Sequence, residues 1–217
     1  EEIASGNDPR EKADLKLGDS LNDTVYGTVK PIDVTADLNL TDEAGKLMVG
    51  AISAGDLTRT ADENTQESSL DALSLSVIDN FYRIQDILPT PTVIVIDNSK
   101  DNQLDYLNKL YELVRNDLIN FPEKLNTANS LETQLPYFSA KGEQFSSSLE
   151  KASHFSVPSD WVDIHKSILS ILQRLAYNYT AIANLETDVL KATAAFNEIA
   201  SLNLEVKAIV KSIQAKA

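Results

Sequence analysis

The sequence predicts an all-α fold: an irregular bundle of about six helices with one short extended segment, Val93–Ile96, and an extended N-terminal arm. Three observations predict it. Apolar residues recur at three- and four-residue steps, most clearly over Pro158–Thr180. Hydrophobic residues reach 42% but aromatics only 6%, with seven glycines and seven prolines in 217 residues, a balance that favours aliphatic helices over a sandwich. Val93–Ile96 is the one strongly β-branched run, and no second run of equal strength is there to pair with it. It is expected to cross the helices as a buried connector.

Taken in order, residues 1–30 carry turn chemistry at Asn7-Asp8-Pro9, Gly18-Asp19-Ser20 and Asn22-Asp23-Thr24, and read as an arm or linker. Residues 31–217 read as a single helical domain. Thr41 is the expected N-cap of the first helix, with Asp42 and Glu43 in its first turn and Gly55 as its stop. Asp56–Ser69 reads as a loop or the exposed start of a second helix. That helix is clear from Leu70, shows the stripe Leu70, Leu73, Val77, Phe81, Ile84 and Leu88, and ends at Pro89-Thr90-Pro91.

Ser99 caps the third helix, whose stripe is Leu104, Leu107, Tyr111, Val114, Leu118 and Phe121. The fourth spans Ser130–Ser153, with Leu131, Leu135, Phe138, Phe145 and Leu149 facing inward and Pro136 restarting or kinking it. After a Val157-Pro158 corner comes the fifth. Trp161, Ile164/His165, Ile168, Leu172, Leu175/Ala176 and Tyr179 share one face, and Asp163, Lys166, Ser170, Arg174 and Asn178 lie on the other. The sixth runs from Glu186 to Ala215, with Val189, Phe196, Ile199, Val206, Val210 and Ile213 as its stripe and a bend expected at Leu202-Asn203-Leu204.

Charge and composition exclude several functions. Nineteen basic against 33 acidic residues give a net charge of −14, which repels nucleic acid and anionic lipid. The absence of cysteine removes disulfides, thiol catalysis and zinc–thiolate sites. No apolar run is long enough to cross a bilayer. The chain opens on Glu1-Glu2-Ile3 without methionine, so a processed or trimmed product with its anchor upstream is expected.

No residue grouping reaches the standard of an active site. His165 follows Asp163 by two positions, and residues two apart on a helix point in different directions. A histidine bonded to a neighbouring helix is the expected reading. His154 and His165 lack metal-ligand spacing, and no Glu-x-x-His is present. Asp160/Asp163 and Glu63/Glu67 read as solvated acidic faces. Gly-x-Ser-x-Gly and phosphate-binding glycine loops are missing. Asn22, Asn39 and Asn178 begin glycosylation sequons, a motif short enough to recur by chance. The residues expected to line any pocket between helices are Trp161, His165 and Tyr179.

Glu1-Glu2-Ile3-Ala4-Ser5-Gly6-Asn7-Asp8-Pro9 resembles the tail of a thrombospondin type 3-like, EF-hand-like calcium repeat. In that register Glu2 is the closing calcium ligand and Asp8 begins another turn, calcium preferring clustered oxygen ligands. The aspartates that precede such a glutamate are not in this chain, so any complete calcium site lies upstream. The alternative reading of these residues is an acidic tail. Asp37–Ala44, Val95–Lys100 leading into Leu104–Asn108, and Val157–His165 together resemble exported helical proteins of Candidate Phyla Radiation bacteria. The resemblance implies an upstream membrane anchor, a calcium-repeat linker and an α-helical extracytoplasmic domain. The expected function is non-enzymatic: protein contacts at the cell envelope, in assembly, adhesion or a surface apparatus, with a protein partner and no cofactor in this chain. A small-ligand sensor is the alternative.

Overall fold

The computed structural model describes residues 35–58, 60–115 and 132–216. The arm, with Glu2, Asp8 and Asn22, lies outside the described residues, as do Leu118 and Phe121. Within the described residues the chain is all-α, with six helices and one two-stranded pairing. It groups into two compact units divided between Ile87 and Leu88.

The first unit holds α1 (Leu40–Ala54) and α2 (Glu63–Asp86). Asn39, rather than Thr41, is the N-cap of α1: its side chain accepts from the Asp42 amide at 3.0 Å. Gly55 stops the helix in the left-handed region at φ 95°, where a side chain would be strained. The Gly55 amide donates to the Ile52 carbonyl and the Asp56 amide to the Ala51 carbonyl, the paired bonds that close such a terminus. Helix α2 starts seven residues before Leu70, because Asp62 caps it. The Asp62 carboxylate accepts from the Thr65 amide at 3.0 Å and the Thr65 hydroxyl at 2.7 Å, and the Thr65 bonds hold its pKa down. The Gln66 amide donates to the Thr58 and Ala61 carbonyls and ties the preceding turn to the helix. Phe81 and Ile84 are buried as expected, but Leu70 is exposed.

The second unit contains β1 (Ile94–Ile96), α3 (Lys100–Leu113), α4 (Leu135–Ser153), β2 (Ser156–Pro158), α5 (Val162–Ala183) and α6 (Val189–Lys216). Helix α5 is its centre, packed along α4 on one side and α6 on the other. The extended segment has a partner after all: β1 runs parallel to β2, with Ile94 opposite Ser156, Val95 opposite Val157 and Ile96 opposite Pro158. Pro158 has no amide hydrogen to offer, which suits the end of so short a ladder. Ile94 and Val95 are half exposed, so the strand lies at the surface and is not a buried connector.

Ser99 caps α3 as expected. Its buried face, however, is Tyr106, Leu110 and Leu113, while Leu104 and Tyr111 are exposed. Six of the fourteen residues of this helix are apolar and they spread over about half its circumference, so two stripes of equal spacing competed. Packing selected the one centred on Leu110, with Leu107 and Val114 at its margin. Pro136 sits in the first turn of α4, where its missing amide costs nothing. Helix α6 is continuous through Leu202-Asn203-Leu204, with Leu202 buried. Its inward face is built on Ala192, Ala195 and Leu202, whereas Val189 and Phe196 are exposed.

Candidate functional site

The side chains with most chemical potential gather where α3, the α4–β2 turn and the start of α5 meet. The Ser159–Trp161 turn delivers Trp161, and the first turn of α5 delivers His165 one helical turn further on. Tyr106 arrives from α3 and Phe155 from the turn before β2. The Tyr106 ring lies 5.7 Å from the Trp161 ring and 5.7 Å from the His165 ring, and Phe155 lies 6.1 Å from His165. The Tyr106 hydroxyl and His165 Nδ1 share a hydrogen bond of 3.2 Å. His165 is 0% exposed and Trp161 1%.

This burial dictates protonation. Desolvation pushes the His165 pKa down to about 4. The Ala152 carbonyl works the other way, and Nε2 makes no hydrogen bond. Burial likewise raises the Tyr106 pKa. The pair is therefore a neutral imidazole against a neutral phenol. Trp161 Nε1 also has no partner. Asn98 donates to the Asp160 carboxylate and so joins the β1–α3 turn to the turn carrying Trp161. Lys216, near the end of α6, donates to the Asp160 carbonyl and places its ammonium 5.4 Å above the Trp161 ring.

Tyr179 is not part of this cluster. It lies 14 residues beyond His165, roughly 21 Å along the helix at 1.5 Å per residue. There it stacks with Phe138 at 5.9 Å and Phe145 at 5.2 Å, and burial raises its hydroxyl pKa to about 12. Lys141 sits beside it, largely buried, 5.2 Å above the Phe145 ring. Desolvation lowers its pKa to about 8. The structure thus brings Trp161 and His165 together and separates both from Tyr179.

Two residues expected on the solvent side of α5 are inside. Asn178 is buried, which removes its sequon from solvent in the folded chain. Arg174 is gripped between Glu198, which is almost sealed, and Glu205, 2.7 Å away. Burial alone would lower the Arg174 pKa, but the bonds to Glu205 and Glu198 raise it overall. No spacing rule flags such a triad, because its members lie 24 and 31 residues apart.

Other candidates stay apart. Asp163 is exposed while His165 is sealed. His154 is exposed, with Nδ1 2.7 Å from the Glu150 carbonyl oxygen. Among the described residues there is no group of three or more metal-ligating side chains, and no helix is long and apolar enough to cross a membrane. No family model, curated protein or solved structure matches the chain.

Proposed function

We propose that this chain is a non-enzymatic helical domain that acts through protein contacts at the cell envelope, as an assembly, adhesion or surface-apparatus component. One observation carries the contact reading. His165 and Tyr106 are sealed inside, while several large apolar side chains remain exposed. Val189, Phe196, Leu204 and Val210 are exposed on α6, with Phe196 and Leu204 52% and 65% accessible. At 100° per residue the four fall within about a third of the helix circumference. Met48, Val49 and Ile52 form a second exposed apolar group on α1. Large apolar side chains left exposed along one side of a helix are a usual mark of a contact site. Placement at the envelope rests on the resemblance of Glu1–Pro9 and the helix-start segments to exported, anchored proteins. The ligand-sensor alternative is less favoured, since Tyr179 does not share a cluster with Trp161 and His165.

The test is site-specific photo-cross-linking in cells that make the full-length protein. A cross-linker at Phe196 or Leu204 is expected to give discrete protein adducts, and one at the exposed Lys166 of α5 is not. Protease added to intact cells is expected to digest the domain. Equal adduct patterns at all three positions would remove the contact reading, and full protection from protease would remove the envelope placement.

A further inference from the structure

We propose that the corner joining α3, the α4–β2 turn and α5 is an acid-sensitive lock, closed by neutral His165 and released when that ring takes up a proton. The inference stands on the geometry of the corner and is independent of the function proposed above.

The His165 ring touches three pieces of chain at once. Tyr106 holds it from α3, the Ala152 carbonyl at the end of α4 and Phe155 in the α4–β2 turn flank it, and its own backbone opens α5. A neutral imidazole suits this place: one nitrogen bonds the Tyr106 hydroxyl and the rest of the ring meets aromatic carbon. An imidazolium does not. It needs partners for two N–H donors, and Nε2 has none.

The charged and titratable surroundings offer little to a buried cation. From α3 the facing group is Tyr106, which burial keeps protonated and uncharged. From the end of α4 the Ala152 carbonyl favours the cation. From α6 the Lys216 ammonium lies over Trp161 and carries charge of the same sign. On α5 itself Asp163 and Lys166 are exposed. The ring also sits in the first turn, at the positive end of the helix dipole. Among the described residues no carboxylate pairs with it.

The sign follows from linkage. The ring titrates at 6.5 in an unfolded chain and near 4 in the folded one, so its contribution is complete above about pH 6.5. It is lost as the pH falls toward 4, because only the open state accepts the proton. Between about pH 7 and pH 4.5 the folded-to-open ratio falls on the order of a hundredfold. Protonation of the abundant carboxylates relieves self-repulsion over the same range and acts in the opposite direction. The His165 effect therefore appears as the difference between two proteins. Trp161, the sole tryptophan, lies in this corner and reports its opening.

The test compares the whole chain with His165→Gln, which keeps an acceptor for Tyr106 and cannot titrate. Urea unfolding followed by Trp161 emission is expected to show the hundredfold loss in the parent relative to the variant. The imidazole NMR signals of His165 are expected to stay neutral through pH 5. Protonation of the His165 ring at or above pH 6, or the same pH response in both proteins, overturns the proposal. If His165→Gln does not fold, the NMR titration of the parent decides alone.

Discussion

At the scale of single residues, the information lies in which of two equally spaced side chains is inside. Tyr106 and Tyr111 are five positions apart on α3, and only Tyr106 is buried and hydrogen-bonded. Tyr106→Phe is expected to cost about 1–2 kcal/mol, since it removes the hydroxyl partner of His165 Nδ1. Tyr111→Phe is expected to stay within about 0.5 kcal/mol, as surface substitutions usually do. Urea denaturation read by Trp161 fluorescence separates the two. Trp161 and His165 were legible in the sequence because both fall on one three-and-four-residue stripe with Ile168 and Leu172. Tyr106 was not, since Leu104, Leu107 and Tyr111 offered an equally good stripe. Nothing local distinguishes the two; the docking of α5 does.

At the scale of elements, close approach and buried charge decide how helices meet, and neither is written in hydrophobic periodicity. Helix α4 crosses α5 at Gly142, where an added Cβ would stand 2.6 Å from the Thr180 hydroxyl and 3.1 Å from the Thr180 amide nitrogen. The hydroxyl can rotate, but the amide cannot yield without moving α5. Gly142→Ala is therefore expected to destabilise by about 1–3 kcal/mol in thermal unfolding, against the usual gain from alanine in a helix. Between α5 and α6 the Arg174 guanidinium joins Glu198 and Glu205. Arg174→Ala leaves the almost sealed Glu198 uncompensated, and a loss of about 3–5 kcal/mol is expected. Arg174→Met combined with Glu198→Leu removes both buried charges and is expected to recover most of that loss, as a double-mutant cycle would show. Element starts and stops were easier to read. Ser99 and Gly55 act where their chemistry predicts, whereas Asn39 displaced Thr41 because its side chain reaches the Asp42 amide.

At the scale of the whole chain, helical class follows from composition and patterning, while grouping depends on which segments share a core. Sequence patterning alone reads 31–217 as one domain, since its helical stripes follow one another through short connectors. The contacts instead divide the chain at Ile87/Leu88, just before Pro89-Thr90-Pro91. Among the described residues, the core of the second unit is built from residues between Val93 and Ile213, with Tyr106, Trp161, Leu169, Leu172 and Leu202 among its buried members. The β1–β2 pairing belongs to the same unit and joins residues 62 positions apart, as does the bond from Asn98 to Asp160. Such long-range closure costs chain entropy, which the apolar core must exceed for the unit to stand alone. A fragment of 130 residues beginning at Leu88 has the size of an ordinary autonomous domain, with a surface-to-volume ratio that permits a sizeable core. It is expected to fold cooperatively, to keep the buried Trp161 emission of the full chain, and to unfold in urea at an unchanged midpoint. A fragment that is molten, with solvent-exposed Trp161, would show that residues before Leu88 are needed to complete the fold.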